Sequence, residues 1–188
     1  MKKALLTIAI VFTIAITSSA YAQTPYFQVY FDENLQEAAA NCPAGLIGSH
    51  IDTLYVVAHN FNMWISAAEF TIDYTTYLTW LGDFPVGTDL KIGDSQTGIG
   101  IAWNIPVNGF GAAVLMTATV AWFCNDCAGI SGTPGSEIKL TAYPGQTQPR
   151  AVRWPDSIPF EGVGMTSLIC PSVPVQETSW GQIKSLYH

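Results

Sequence analysis

The sequence is poor in charged residues, and positive charge is the scarcer sign. Only 11% of its 188 residues are charged, with 7 basic against 14 acidic side chains and a formal net charge of −7. A nucleic-acid-binding surface needs clustered Lys and Arg to neutralise phosphates, and this chain has too few of them. The composition therefore argues against nucleic acid as a partner and indicates an acidic globular protein.

Long apolar runs are missing beyond the N-terminus. The one long run, Ala4 to Ile16, follows Lys2 and Lys3 and leads into small residues that end at Ala22. The run is short for a membrane span, and the order basic, apolar, small is that of a secretory signal peptide. We therefore predict that residues 1–22 are a signal peptide and that the mature protein is secreted, periplasmic or attached to the cell surface.

Motifs of common catalytic sites are also missing. The chain has no Gly-x-Ser-x-Gly elbow, no His-Glu-x-x-His and no glycine-rich phosphate loop. Glu69 and Asp73 fall on one face of a predicted strand, but a rise of about 3.3 Å per residue separates them by about 13 Å. That separation does not suit a glycosidase carboxylate pair within one strand. The sequence predicts a protein that is not an enzyme and uses no cofactor.

The four cysteines are interpreted through the predicted export. In an oxidising compartment, the even number formed by Cys42, Cys124, Cys127 and Cys170 favours two disulfides, and three connectivities are open. The Cys124-Asn-Asp-Cys127 pair ends a strand-like run and precedes a Gly- and Ser-rich stretch. A thioredoxin-like redox pair begins a helix instead, and zinc needs further ligands at close spacing.

Short runs of β-branched and aromatic residues, punctuated by 16 Gly and 11 Pro, predict an all-β fold. Ala112 to Phe123 is apolar enough for a buried helix, but its Val and Thr residues favour a long central strand. We also expect a short helical turn at Asn34–Ala40 and a turn-rich segment at Gly82–Gly87. The predicted strands are Tyr26–Phe31, Ile51–His59, Ser66–Tyr74, Tyr77–Leu81, Leu90–Ile92, Ile99–Asn104, Ala112–Phe123, Glu137–Tyr143, Ala151–Trp154 and Phe160–Val163.

The number and spacing of these strands predict a two-sheet antiparallel β-sandwich over residues 23–172. Strict alternation in the third strand predicts that its core face consists of Ala68, Phe70, Ile72 and Tyr74.

The C-terminal segment, residues 173–188, is predicted to be an extended connector followed by a helical tail. Ser179 and the residue three positions later form a capping-box pattern, and Trp180, Ile183 and Tyr187 fall on one helical face. Two roles stay open for this tail. It docks on the sandwich and covers apolar surface, or it is a tag recognised by an export or attachment partner.

Exposed aromatic and acidic residues supply the candidate ligand sites. Trp80, Trp103 and Trp122 lie in apolar runs and are predicted to fill the core, whereas Trp64 and Trp154 are predicted to be exposed. Because aromatic rings stack on sugars, these two are the candidate glycan-binding residues. The candidate calcium ligands, which lack EF-hand spacing, are Asp83, Asp89 and Asp94.

Two resemblances add to this reading. Leu54 to Tyr143 resembles the layout of cohesin-type jelly rolls, with the Ala-Glu-Phe-x-Ile pattern in Ser66–Tyr74. Ile92–Trp103 and Thr178–Tyr187 resemble segments of uncharacterised secreted bacterial proteins. These resemblances imply export and a β-sandwich, and they bring no catalytic residues.

We therefore predict an exported, non-enzymatic binding, adhesion or assembly module that binds a protein or a glycan at the cell envelope. The alternative is a carbohydrate-binding module that uses the exposed tryptophans. A secreted hydrolase ranks third.

Overall fold

The computed structural model describes residues 24–40, 47–74, 78–125 and 136–169, and in this part of the chain thirteen strands and no helix form. The strands are β1 (Tyr26–Tyr30), β2 (Ala39–Ala40), β3 (Ile47–His59), β4 (Trp64–Tyr74), β5 (Leu78–Pro85), β6 (Leu90–Asp94), β7 (Gly98–Asn108), β8 (Ala112–Asn125), β9 (Ser136–Thr141), β10 (Arg150–Arg153), β11 (Pro159–Glu161), β12 (Val163–Gly164) and β13 (Thr166–Ile169).

The strands form two sheets, which confirms the predicted all-β, two-sheet architecture. The first sheet has the order β12-β1-β3-β8-β5. The second has the order β11-β10-β4-β9-β13-β2, and β7 pairs with β4 and β6 with β7. Most pairs are antiparallel, but β1 pairs with β12, and β13 with β2, in parallel.

The core lies between the sheets and follows from the alternation of the strands. Ala68, Phe70 and Ile72 of β4 are buried as predicted, and Tyr74 packs against the core while partly exposed. Burial of a large apolar side chain such as Phe70 or Ile72 stabilises a fold by about 1.5–3 kcal/mol.

The long apolar segment that begins at Ala112 is a strand, as expected from its β-branched residues. This strand, β8, lies at the interior of the first sheet between β3 and β5. Ala118, Val120 and Trp122 are buried, while Thr117 and Thr119 are half-buried on the other face. A helix would not separate its residues into two faces with this period of two.

The helical turn predicted at Asn34–Ala40 is wrong. The Asp32 carboxylate accepts hydrogen bonds from the amides of Gln36 and Glu37 at 2.9 and 2.6 Å, and Leu35 has a φ of 58°. These interactions close a loop in place of a helix. The chain then leaves the loop as β2.

The turn predicted at Gly82–Gly87 is shorter than expected. β5 continues to Pro85 because a register shift after Trp80 lets Gly82–Pro85 pair with β8. Only Val86 and Gly87 form the turn, where Gly87 takes a φ of 56°.

The two sheets are joined along one side by the segment that contains β12 and the first two residues of β13. The Met165 amide donates to the Phe27 carbonyl of β1 at 2.8 Å, and the buried Ser167 hydroxyl donates to the Val29 carbonyl at 2.6 Å. On the other side, the Leu140 amide of β9 donates to the Met165 carbonyl at 3.3 Å. This segment, residues 162–167, is called the seam below.

Glycine is required within the seam because the backbones approach too closely for a side chain. A Cβ on Gly164 would overlap the carbonyl oxygen of Leu140, and one on Gly162 would lie 2.8 Å from the ring of Phe61 and 2.9 Å from that of Phe27. Neither a carbonyl group nor a packed core ring can move aside cheaply.

We expect Gly164→Ala to destabilise the fold by about 3 kcal/mol or more, because the seam must separate to admit the methyl group. In a domain of this size, that corresponds to a loss of roughly 6–12 °C in melting temperature. Gly111→Ala is the matched control, since a Cβ there meets nothing within 4 Å. Equal melting temperatures for the two variants would contradict this account of the seam.

Several sequence predictions fall outside the described residues. They are the signal peptide at 1–22, the connector and helical tail at 173–188 with Ser179, Trp180, Ile183 and Tyr187, and the cysteines Cys42, Cys127 and Cys170. The backbone of Cys124 lies in β8, opposite Gly48. Within the described part of the chain, no helix is long and apolar enough to cross a membrane.

The disulfide connectivity stays a prediction. In the described part of the chain, Ala40 pairs with Ile169, two residues before Cys42 and one before Cys170 in the sequence. On this basis we propose, of the three connectivities, one bond between Cys42 and Cys170 and one between Cys124 and Cys127. Peptide mapping without reduction tests this, and a peptide that joins Cys42 to Cys124 or Cys127 would contradict it.

Candidate functional site

The outer face of the second sheet contains a shallow trough with a floor of small residues. Residues paired across neighbouring strands lie side by side on one face. Ala67 of β4 pairs with Ala102 of β7, and Glu69 pairs with Gly100. Ala67, Gly100 and Ala102 form the small part of the floor, beside the Glu69 side chain of β4, while the intervening Ile101 points into the core.

Larger side chains border the floor on both sides. On β6, Leu90 pairs with Ala102 and Ile92 pairs with Gly100, and both side chains are exposed. On β10, Val152 pairs with Ala67 and Arg150 pairs with Glu69. The trough therefore runs along β4 and β7, between an apolar border on β6 and a mixed border on β10.

The two tryptophans predicted to be exposed have neighbouring backbones at one end of the trough. The Trp154 amide donates to the Trp64 carbonyl at 2.9 Å, and the two side chains are 52% and 45% exposed. The ring of Phe110, also exposed, meets the ring of Trp64 edge-on with centroids 6.2 Å apart. A glycan-binding role for Trp64 and Trp154 stays a prediction.

The tryptophans expected in the core are found there, with one difference. Trp103 and Trp122 are buried, while Trp80 is partly exposed and packs against the core, with its ring stacked on Tyr74. The Trp103 indole donates to the Val86 carbonyl at 2.7 Å, which satisfies its one polar group.

The loop between β9 and β10 closes the other end of the trough. Pro144 and Tyr143 lie so close over Gly98 that a Cβ there would be 2.6 and 3.1 Å from their rings. The Gln146 side chain donates to the Glu69 carboxylate at 2.7 Å. The loop is thus attached to the floor strand β4.

An ion pair fixes the charged part of the β10 border. The Arg150 guanidinium contacts the Glu69 carboxylate through both Nε and Nη2, each at 2.7 Å. Both groups are about one-third exposed, so the pair contributes little to stability, on the order of 1 kcal/mol or less. Its role is geometric, because two bonds from Arg and one from Gln146 hold the carboxylate in one orientation.

The three candidate calcium ligands make separate interactions. The Asp83 carboxylate accepts from the indole of Trp80 at 2.8 Å and from the amide and hydroxyl of Ser95 at 2.8 and 2.6 Å. Asp89 accepts from the Asn104 amide at 2.6 Å. Asp94 caps its turn, where hydrogen bonds from the Thr97 amide and hydroxyl lower the pKa of Asp94.

No group of three or more His, Cys, Asp or Glu side chains placed to hold a metal ion occurs among the described residues. Asp83, Asp89 and Asp94 are thus not brought together as one ligand set, and their use by calcium stays a prediction. Melting curves in calcium and in EDTA test it. From the geometry we expect equal melting temperatures, whereas a rise in calcium would support a site.

Comparison with solved structures bears on the fold. The third ScaB cohesin of R. flavefaciens, solved in complex with a group 1 dockerin, matches 80% of this chain and 96% of its own with 12% identity and a TM-score of 0.50. The fold resembles that of cohesin modules.

Two further solved cohesins are similar to this chain with lower TM-scores. A type I cohesin from Clostridium thermocellum, in the Coh-OlpC-Doc435 complex, matches 81% of this chain and 97% of its own, with 13% identity and a TM-score of 0.47. A non-cellulosomal cohesin from Archaeoglobus fulgidus matches 88% and 98%, with 11% identity and a TM-score of 0.46. No protein-family model and no curated protein matches the sequence.

Sequence reasoning missed the trough, although a signal for it is present. In Gly98-Ile-Gly-Ile-Ala102, small and large residues alternate with the period of a strand. That pattern predicts one face that packs in the core and one face almost without side chains. It does not reveal which strands lie beside it.

The tryptophans should differ sharply in their effect on stability. We expect Trp103→Ala to cost about 3–5 kcal/mol, because it empties a core site and leaves the Val86 carbonyl without its donor. Trp64→Ala and Trp154→Ala should each cost about 1 kcal/mol or less, because about half of each side chain already faces water. Urea unfolding monitored by circular dichroism measures all three, and similar losses would contradict the placement of Trp64 and Trp154.

The Asp83 network should be a stability site of its own. The Asp83 side chain is only 4% exposed and serves three donors. Asp83→Ala would leave the Ser95 amide without an acceptor in a buried position, so we expect a loss of about 3 kcal/mol or more. Asp89→Ala is the control, because Asp89 is exposed and accepts one bond from an exposed amide. Unfolding free energies in urea compare the two variants, and equal losses would argue against the network.

Proposed function

We propose that this protein is a non-enzymatic protein-binding module that acts in extracellular or cell-envelope assembly, and that it binds its partner in the trough. Similarity of fold to cohesin modules supports this class of function, and two of those modules were solved in complexes with dockerins. The observation that carries the proposal is the floor of Ala67, Gly100 and Ala102, because it allows a partner backbone to approach the sheet closely.

The dimensions of the trough fit an α-helix. The borders on β6 and β10 are three strand spacings apart, which is about 14 Å at about 4.8 Å per spacing. An α-helix with its side chains is roughly 10–12 Å wide. A partner helix in the trough would contact Leu90 and Ile92 on one side and Val152 on the other, and would lie on the small floor between them.

The two ends of the trough supply different contacts. At one end, Trp64, Trp154 and Phe110 offer exposed aromatic surface, and tryptophan is among the residues that most often dominate binding energy. Farther along the trough, the Glu69–Arg150 pair presents an oriented polar group. A complementary partner therefore carries an apolar helix face with a polar group toward the Arg150 end.

An affinity experiment tests the proposal. The immobilised chain from Gln23 onward is exposed to the secreted fraction of the source organism, and retained proteins are quantified by mass spectrometry. Ala102→Arg places a long charged side chain on the floor, whereas Thr166→Arg places the same side chain on exposed β13, away from the trough.

We expect retention of one or more proteins to fall about tenfold or more with Ala102→Arg, and to be unchanged with Thr166→Arg. Binding of the purified retained protein by titration calorimetry should show the same difference. If no retained protein distinguishes the two variants, the trough is not the binding site.

A carbohydrate-binding role is the second candidate. It is favoured by the exposure of Trp64 and Trp154, whose backbones are joined by a hydrogen bond. A glycan array with the wild type, Trp64→Ala and Trp154→Ala tests it. Binding that is lost in both tryptophan variants and kept in Ala102→Arg would support a glycan site at the aromatic end. The absence of binding to any glycan would leave the protein-binding proposal as the sole candidate.

A further inference from the structure

The outer face of the first sheet is a second surface, distinct from the trough and on the opposite side of the sandwich. Strand register and burial define the side chains that point outward from β1, β3, β8 and β5. These residues are called the neutral face. Its described members are Tyr26, Gln28, Tyr30, Ser49, Ile51, Thr53, Tyr55, Val57, His59, Thr79, Gly82, Phe84, Ala112, Val114, Thr117, Thr119 and Ala121.

None of these described members is Asp, Glu, Lys or Arg. The outer face of the second sheet differs, since it carries Glu69, Asp73, Lys139 and Arg150. The difference is notable in a chain with a net charge of −7. Depletion of charge together with enrichment of tyrosine is the composition found at the centre of protein interfaces.

An ordered aromatic cluster occupies one end of the neutral face. The rings of Tyr26 and His59 stack with centroids 4.5 Å apart, and the Tyr30 ring lies 5.6 Å from that of His59. The Tyr30 hydroxyl donates to the Gln28 side chain at 3.2 Å. Val57, which pairs with Gln28 and points away from the core, is fully buried.

His59 and Tyr30 of this cluster are uncharged at neutral pH. Burial lowers the pKa of His59, which keeps its imidazole neutral. Burial, together with the neighbouring Tyr26, raises the pKa of Tyr30 to about 12. The face therefore presents hydroxyl groups, rings and aliphatic side chains without net charge.

Apolar side chains are also exposed outside the aromatic cluster. Ile51, at the other end of the face, is 62% exposed, and Phe84, on β5 at the level of Tyr55, is 57% exposed. Both sit among threonines, so the surface is flat and mixed in character rather than a deep apolar groove. Such a surface suits a moderate, reversible contact.

We propose that the neutral face is the interface of a homodimer, with a second copy of this chain as its occupant. Two copies of a protein with this net negative charge repel each other over most of their surfaces. The neutral face is where they meet without bringing like charges together.

The area of the face agrees with a weak dimer. Four strands about 4.8 Å apart span about 19 Å, and β3 from Ile51 to His59 extends about 26 Å, which gives roughly 500 Å² per copy. The pair would bury about 1,000 Å², at the lower limit for a specific interface. We therefore expect an equilibrium between monomer and dimer at micromolar concentrations.

Sedimentation velocity over a range of protein concentrations tests the dimer. Thr53→Glu places a charge at an exposed position of the neutral face, and Ala102→Glu places the same charge in the trough as the control. We expect Thr53→Glu to weaken dimerisation about tenfold or more, and Ala102→Glu to leave it unchanged, with equal melting temperatures for both. A wild type that stays monomeric at several hundred micromolar, or equal effects of the two variants, would overturn the proposal.

Photo-crosslinking identifies the occupant of the face. A benzophenone amino acid at Thr119, followed by mass spectrometry, should yield cross-links between two chains within β1, β3, β5 or β8. Cross-links within one chain to residues 170–188 would assign the face to the C-terminal segment and overturn the dimer. The neutral face and the trough lie on different sheets and are tested with different variants. A monomeric protein would therefore overturn the dimer and leave the proposal for the trough unaffected.

Discussion

Backbone contact across the seam is the constraint on which the rest of this structure depends. In a simple sandwich, the two sheets lie about 10 Å apart and contact each other only through their side chains. Here the segment at 162–167 bonds to β1 of one sheet and to β9 of the other. Gly164 allows that approach, since any side chain would overlap the Leu140 carbonyl. The seam therefore fixes the spacing and relative rotation of the sheets, and with them the positions of both outer faces.

The two outer faces are chemically different although the same alternation of residues produces them. On the second sheet, small residues at Ala67, Gly100 and Ala102 leave a trough between larger borders, and charged side chains are held in a defined network. On the first sheet, threonine, tyrosine and aliphatic residues form a flat neutral surface. A module built in this way has room for a partner on one side and for a copy of itself on the other. Dimerisation would present two troughs facing away from each other, which strengthens binding to a repeated partner.

The sequence predicted the strands and missed the arrangement that makes the site. Alternation in Ser66–Tyr74 and the β-branched content of the segment after Ala112 report directly on local conformation, and both predictions are confirmed. The turn at Asn34–Ala40 was predicted as helical because its composition allows a helix. The Asp32 carboxylate instead closes a local loop by accepting hydrogen bonds from the amides of Gln36 and Glu37. Short strands such as β2 and β13 exist because of their neighbours and carry no periodic signal of their own.

The order of strands at the seam also sets how the molecule bears force. β1 is the first described strand and pairs in parallel with β12. β13, the last described strand, begins two residues after β12 ends. Tension applied between Tyr26 and Ile169 would therefore pull neighbouring parallel strands in opposite directions along their length. Hydrogen bonds arranged in this way are loaded together in shear, whereas a hairpin geometry would let them open one after another. The seam would therefore resist tension applied between these two ends of the described chain.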